Sequence, residues 1–156
     1  MITLETLNFS DHSQEILSLR YRVFSLEQGV DPDIDIDGLD DDAVQILALD
    51  NGTPVGTGRM LADGHIGRIA VLAEYRKAGI GKQIMSCLIE QARNNELDQV
   101  FLGAQVSAVP FYEKLGFCHS GEDYMEANIL HTPMELSLKT NTAYQVEKYD
   151  DTIGHL

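Results

Sequence analysis

The sequence predicts a single mixed α/β domain in which an antiparallel sheet comes first and a helix between further strands follows. The chain has 156 residues, of which 44% are hydrophobic, and this is enough to form one core. Short apolar segments separated by turn residues precede residue 73, and a strongly amphipathic helical pattern begins at residue 79. We expect the domain to span residues 1–139.

The first half of the chain is expected to contain a strand, a helix and a meander of three strands. A strand is predicted at residues 2–8, and the capping signal Asp11-x-x-Gln14 predicts a helix that ends at Gly29. Turn sequences then separate three apolar segments, which is typical of antiparallel hairpins. These strands are expected at residues 43–49, 55–61 and 65–72.

The second half is expected to begin with the amphipathic helix, at residues 79–96. Its apolar positions are Ile80, Ile84, Met85, Leu88, Ile89 and Ala92. The elements predicted after it are a strand at 100–104, a helix at 109–115 and strands at 117–119 and 134–138. Residues 140–156 are polar and are expected to form a tail, or an arm that packs on the partner in a homodimer.

Composition excludes several classes of function. A net charge of −14 and a pI near 4.5 argue against nucleic acid as a partner. No apolar run approaches the roughly 20 residues that cross a bilayer, and the N-terminus is unlike a targeting signal, so we expect a cytoplasmic protein with no membrane partner. The two cysteines, Cys87 and Cys118, have no Cys or His cluster around them, which argues against a zinc site or a disulfide scaffold.

Seven aspartates lie between positions 31 and 42. The pattern Asp33-x-Asp35-x-Asp37-Gly38 matches the first half of an EF-hand calcium loop, but Val44 stands where the loop needs a bidentate glutamate. We therefore expect a solvated acidic loop, with no metal site, that attracts a cationic acceptor by its charge.

The segment 71–82 lies between a predicted strand and the predicted long helix, and it is typical of an anion-binding loop. Gly79 and Gly81 have no side chain to block a ligand, and the first amides of a helix are unpaired and favour negative charge. The segment also contains three cations, Arg76, Lys77 and Lys82.

Two common phosphate-binding motifs do not fit this segment. A P-loop requires glycine where Arg76 stands and serine or threonine where Gln83 stands. A dinucleotide-binding fingerprint requires a third glycine where Ile84 stands, and a place after the first strand of a parallel sheet. The loop is therefore of another kind.

The pattern Arg76-x-x-Gly79-x-Gly81 resembles the pyrophosphate loop of the GNAT superfamily of acyl-CoA-dependent N-acetyltransferases. Ile69-Ala70-Val71 is similar to the strand before that loop, and residues 111–117 are similar to the late helix-to-strand segment of the family. Three further segments resemble the ElaA-like branch: residues 19–28, Asp35-x-Asp37 and residues 102–105. Together these similarities cover most of residues 16–138.

The resemblance implies a twisted mixed sheet with an antiparallel meander, followed by a parallel pair of strands that separate around acetyl-CoA, with helices on its faces. It implies direct transfer of an acetyl group from acetyl-CoA, as cosubstrate, to a primary amine of a small molecule or peptide. A non-catalytic acyl-CoA-binding sensor or interaction module is the alternative, because one expected catalytic carboxylate is missing, as described below.

The resemblance also implies roles for the residues around the loop. The strand Ile69-Ala70-Val71 would pair with the pantetheine arm, and one of its amides would polarise the thioester carbonyl. The pyrophosphate would be held by Arg76 and by the amides of Lys77, Ala78, Gly79, Ile80, Gly81 and Lys82. Gln105 stands where many relatives have an asparagine, and its longer side chain would bond backbone on the cofactor side.

Tyr112 matches the family's tyrosine that protonates the departing CoA thiolate. Its alternative role is packing on a helix face. Some relatives have a glutamate base on the strand predicted at 100–104, but that strand contains no carboxylate here. The candidates for the base are therefore Glu27, at the end of the first helix, and His131, before the last strand, unless a water chain takes that role. Each also has a purely structural interpretation.

Overall fold

Two antiparallel sheets form the centre of the computed structural model, which describes residues 1–139. The first sheet contains, in spatial order, β1 (Ile2–Leu7), β2 (Val44–Asp50), β3 (Thr53–Met60) and β4 (Ile66–Val71). The second contains β5 (Gln99–Gln105), β6 (Cys118–His119), β7 (Tyr124–Glu126) and β8 (Ile129–Ser137), and β8 pairs with the other three. The expectation of a tail or arm at residues 140–156 lies outside the described residues.

The helices of the described residues are α1 (Phe9–Arg20), α2 (Pro32–Asp35), α3 (Ile80–Asn94) and α4 (Val109–Lys114). The predicted cap at Asp11 is wrong, because α1 begins at Phe9 after Asn8, whose side chain makes no capping hydrogen bond. α1 continues directly into a π-helical segment, Tyr21–Glu27. Such segments are rare and often lie at functional sites.

The helix α3 packs its apolar face on the first sheet. All six of its predicted apolar residues are buried, which confirms the helical periodicity. Gly58 of β3 permits the close approach, because a Cβ atom there would lie 2.6 Å from Cδ1 of Ile69 and 2.7 Å from Cγ2 of Ile84. The core is therefore built where α3 covers β3 and β4.

The connection before the last strand differs from the prediction. Residues 120–132, expected to be a polar connection, contain β7 and the start of β8. The turn between the two strands is Ala127-Asn128, with φ values of 51° and 63°, which is the conformation of a type I′ hairpin. The usual Asn-Gly or Asp-Gly signal of this turn is absent here, so the sequence did not reveal the hairpin.

The two sheets meet at one point, between β4 and β5. His65 and Phe101 form an isolated parallel bridge, their rings stack at 4.9 Å, and the Phe101 amide donates to the Gly64 carbonyl at 3.1 Å. No further pairing joins β4 to β5 within residues 1–139, so the strands separate beyond this bridge. The expected parallel pair that opens is therefore confirmed.

Candidate active site

A cavity of about 580 Å³ opens where β4 and β5 separate. Its walls also include residues of the π-helical segment, α4 and β8. Six of the predicted site residues line it: Ile69, Val71, Arg76, Gln105, Tyr112 and His131. These six residues extend from position 69 to position 131. The fold therefore brings together side chains that are up to 62 positions apart in the sequence.

The loop between β4 and α3 presents free amides at its outer side. Lys77 and Gly79 have left-handed backbone conformations, with φ values of 67° and 84°. Gly79 precedes α3, and its carbonyl accepts the first helical hydrogen bond, from the Gln83 amide at 3.0 Å. The amides of the first turn, up to Lys82, therefore have no partner inside the helix and suit an anion such as a diphosphate.

Two residues of the predicted cofactor set lie inward. Ala70 pairs with Thr57 of β3 and is 2% exposed, and Ile80 is equally buried in the core. The Leu72 amide donates to Val55 of β3 at 3.0 Å, and backbone groups alternate along a strand, so those of Ile69 and Val71 face the opening. The free edge of β4 is thus supplied by Ile69 and Val71.

The sequence suggested that Arg76 is a free cation of the loop, but its side chain is paired with Glu27. Its Nη1 and Nη2 donate to the two carboxylate oxygens of Glu27 at 2.8 and 2.6 Å, and its Nε donates to the Val71 carbonyl at 2.9 Å. The hydrogen bonds from Arg76 hold the pKa of Glu27 below its usual value. This makes Glu27 a weaker base and fixes the Arg76 guanidinium beside the loop.

Tyr112 projects from α4 into the cavity wall. Its ring makes edge contacts with Phe111 and Phe117, at centroid distances of 5.0 and 5.9 Å. Burial raises the pKa of Tyr112 to about 12, so its hydroxyl carries a proton throughout the neutral range. The side chain has the protonation state that a general acid needs.

His131 lies on β8 and is 8% exposed. Its Nδ1 is 2.7 Å from the Ile129 carbonyl oxygen, and because a carbonyl can only accept, Nδ1 carries the proton. The lone pair of the neutral ring is therefore on Nε2, which lies 4.0 Å from Oε2 of Glu126. The Tyr124 ring stacks on the imidazole at 5.5 Å. The hydrogen bond to Ile129 and the stacked Tyr124 ring together fix the orientation of His131.

Gln105, at the end of β5, donates from Nε2 to Oε1 of Gln28 at 2.8 Å. Both side chains line the cavity. The contact joins β5 to the end of the π-helical segment, so Gln105 spans the cavity instead of bonding backbone.

The acidic loop is not solvated as predicted, because three of its aspartates bind arginines from three different elements. The members of this charge network are Arg20, Arg59, Arg68, Asp35, Asp37 and Asp40. Arg20 of α1 is fully buried and donates to Asp35 at 2.9 Å and to Asp40 at 2.8 Å. The carboxylates of the EF-hand-like pattern at Asp35 and Asp37 are thus occupied by guanidinium groups.

Three residues that line the cavity, His65, Arg68 and Glu126, were missed by the sequence reasoning, as was Tyr124, whose ring stacks on His131. Tyr124 reaches the site because Gly103 of β5 leaves room for its hydroxyl. Tyr124 and Glu126 lie on β7, which was not predicted, and Arg68 was not among the predicted site residues. The pattern Gly67-Arg68 in an apolar strand was the one available signal for a bulge.

No helix among residues 1–139 is long and apolar enough to cross a membrane.

Comparison with known proteins gives concordant similarities. Residues 23–138 match the family model of the acetyltransferase (GNAT) domain. The chain is 38% identical over 120 residues to the uncharacterized N-acetyltransferase YjcF of Bacillus subtilis, covering 74% of this chain and 86% of that protein. The range matched by the family model includes β4, the loop, α3, α4 and the part of β8 that carries His131.

Solved structures show the same similarity. The crystal structure of Escherichia coli ElaA has a TM-score of 0.77 and 33% identity, covering 86% of this chain and 99% of that chain. An acyl-CoA N-acyltransferase from Pseudomonas aeruginosa has a TM-score of 0.77 and 29% identity, covering 88% of this chain and 100% of that chain. These similarities confirm the resemblance stated for the sequence.

Proposed function

Since the chain belongs to the GNAT acetyltransferase family and is an acyltransferase, we propose that it moves an acetyl group from acetyl-CoA directly to the primary amine of a small molecule or peptide. The observation that carries this proposal is the cavity between β4 and β5, which has Tyr112 and His131 in its walls and the anion-binding loop beside it. The family accounts for an acyl-CoA cosubstrate, and the acetyl group and the amine are our assignment.

The cosubstrate would lie along β4. The amides from Lys77 to Lys82 hold the pyrophosphate, and Arg76, fixed by Glu27, supplies positive charge beside it. The outward backbone groups of Ile69 and Val71 pair with the pantetheine arm, as a peptide strand would pair with a free sheet edge. A β4 amide then polarises the thioester carbonyl.

The transfer requires one base and one acid. His131 Nε2 takes a proton from the ammonium, and the amine nitrogen attacks the thioester carbon. The new C–N bond forms, the C–S bond breaks, and the Tyr112 hydroxyl gives its proton to the departing sulfur. His131 releases the first proton, from the ammonium, to solvent and then takes the second proton that the nitrogen loses as it becomes the amide. The second proton, returned from His131 to Tyr112 through solvent, restores both groups. Glu27 holds Arg76 and takes no part in proton transfer.

Calorimetric titration with acetyl-CoA, followed by a free-thiol assay over a panel of amines, tests the proposal. We expect binding of acetyl-CoA and amine-dependent release of thiol. Lys82→Glu, in the first turn of α3, should weaken acetyl-CoA binding because it adds negative charge at the helix N-terminus. Lys139→Glu, which changes the same charge at an exposed site that pairs with Asp98, is the matched control.

The two readouts separate the parts of the proposal. Failure to bind acetyl-CoA would overturn the assignment of the loop between β4 and α3. Binding with no thiol release from any amine would contradict the amine acceptor and leave the cosubstrate assignment in place.

A further inference from the structure

Arg68 occupies an unusual backbone position inside the cavity. It lies in β4 at the shift in register with β3, and its φ of 54° is in the left-handed region that few non-glycine residues adopt. A bulge of this kind re-aims a side chain, and strained backbone of this kind concentrates at functional sites. Val71, three positions further along β4, approaches the anion-binding loop, so Arg68 lies further from that loop, towards the His65 side of the strand.

The guanidinium of Arg68 is held on one side only. Nε lies 3.0 Å from an oxygen of Asp35, and Nη2 donates to Asp37 and to the Asp35 carbonyl at 3.2 Å each. Nη1 of Arg68 makes no hydrogen bond with any residue in the range 1–139. In that range no side-chain nitrogen or oxygen is both buried and unpartnered, so Nη1 keeps some accessible surface, and Arg68 lines the cavity.

Arg59 and Arg68 differ in how far the nearby aspartates balance the effect of burial on their pKa values. Burial lowers the pKa of Arg68, and the positive charge of Arg59 lowers it further, in spite of the nearby aspartates. For Arg59, which is buried with Asp37 and Asp40, the hydrogen bonds to those carboxylates outweigh the effect of burial, and its pKa is raised. The carboxylates therefore outweigh the effect of burial on the pKa for Arg59 but not for Arg68.

The other end of the acceptor is defined by Glu126 and His131. Oε2 of Glu126 and Nε2 of His131 are both hydrogen-bond acceptors, 4.0 Å apart, with the only ring proton of neutral His131 on Nδ1. A group with several N–H donors, such as an ammonium, bonds both at once. Glu126, His131 and Arg68 line the same cavity.

We infer that the acceptor is an amine that also carries a carboxylate, an amino-acid-like molecule, with its carboxylate on Nη1 of Arg68 and its ammonium between Glu126 and His131. This inference rests on the proposed function and names its substrate class. A monoanion fits better than a phosphate, because Asp35, Asp37 and Glu126 already place negative charge around the site. Glu126 orients the amine, and His131 removes its proton.

The test compares free L-amino acids with their primary amides and with the amines that lack the carboxyl group, as acceptors with acetyl-CoA. We expect kcat/KM to be at least about tenfold higher for the amino acid than for either analogue, as one charged hydrogen bond provides. Arg68→Gln should reduce this ratio to about one, chiefly through a higher KM for the amino acid. Arg68→Lys should retain part of the preference.

Control variants separate recognition from folding. Arg22→Gln removes an exposed arginine that pairs with Glu74 at 3.6 Å, and it should leave the ratio unchanged. Glu126→Gln, at an exposed side chain, should raise KM for amino acids and for amides alike, because both present the same amine. Acetyl-CoA binding measured by calorimetry shows whether each variant is folded. The ratio of kcat/KM values in the wild-type enzyme tests the inference without any variant.

The outcomes distinguish this inference from the proposed function. Equal kcat/KM for amino acids and their analogues in the wild-type enzyme would overturn the inference and leave the amine acetyltransferase in place. Acetyl-CoA binding without turnover of any amino acid would also overturn it. Loss of both binding and turnover in the wild-type protein would contradict the proposed function as well.

Discussion

Burial sets the protonation of the phenol at the cavity wall. The pKa of Tyr112 is raised to about 12, and the low polarity that raises it also disfavours a free thiolate beside it. A thioester that breaks in this environment therefore needs a proton for the sulfur at the moment of cleavage. Tyr112 is a proton source in the cavity wall that is fully protonated at neutral pH.

Replacing Tyr112 by Phe should lower kcat by about a hundredfold, within the range for loss of a general acid, and leave acetyl-CoA affinity unchanged. Steady-state kinetics and calorimetry measure the two quantities. Tyr21→Phe, at an exposed tyrosine of the π-helical segment, is the control and should have no effect. An unchanged kcat for Tyr112→Phe would remove this residue from the mechanism.

Variants of the two candidate bases, Glu27 and His131, are expected to have different effects on kcat. Glu27→Gln should change the KM for acetyl-CoA by less than about tenfold and retain kcat, because Glu27 positions Arg76. His131→Gln should lower kcat by about a hundredfold or more. The kcat values of the two variants decide between the candidates, and a large loss confined to Glu27→Gln would reverse our assignment.

At the scale of elements, periodic patterns were predicted well and local exceptions were not. The helix α3 was found because six apolar residues repeat on one face. The π-helical segment Tyr21–Glu27 has no such sequence signal. The hairpin of β7 and β8 was missed because Ala127-Asn128 is an uncommon sequence for a type I′ turn.

The contact between α3 and β3 predicts a sensitive glycine. Gly58→Ala should lower the free energy of unfolding by about 1–3 kcal/mol, because its Cβ would overlap Ile69 and Ile84 in a packed core. Gly67→Ala, on the neighbouring strand, is the control, since a Cβ atom there meets nothing within 4 Å. Urea unfolding measures both, and equal stability of the two variants would show that α3 can shift away from β3.

At the scale of the whole molecule, the charge network fastens the acidic loop to the domain. Arg20, Arg59 and Arg68 come from α1, β3 and β4, so the network joins elements that are distant in the sequence. The sequence showed seven aspartates between positions 31 and 42, but their pairing with arginines depends on the tertiary fold. The position of the loop between β4 and α3 was predictable because its glycines and cations are contiguous.

This network predicts acid sensitivity. Hydrogen bonds from Arg59 hold the pKa of Asp37 far below its usual value, so its contribution to stability is present above the unfolded pKa of about 3.9 and is lost as the pH falls towards the folded pKa. The free energy of unfolding should therefore begin to fall below about pH 5. Urea unfolding at pH values from 7 to 3 measures this decline.

Variants identify the source of the decline. Asp37→Asn should cost about 1–2 kcal/mol at pH 7 and reduce the slope between pH 5 and 3, since the titrating carboxylate is gone. Asp41→Asn, at an exposed aspartate outside the network, should leave both unchanged. A wild-type slope retained in Asp37→Asn would assign the acid sensitivity to other carboxylates.

Within residues 1–139, one bridge, between His65 and Phe101, joins the two sheets, so a rotation of one sheet against the other would turn about that pair. From Phe101 to Gln105 is four residues of strand, or about 13 Å, so a rotation of about 5° at the pivot moves the far end by about 1 Å. A shift of that size at a reacting centre changes rates by about a hundredfold. His65 and Phe101 form no bond in the reaction. Their contact nevertheless controls the separation of β4 and β5, across which the acetyl group would be transferred.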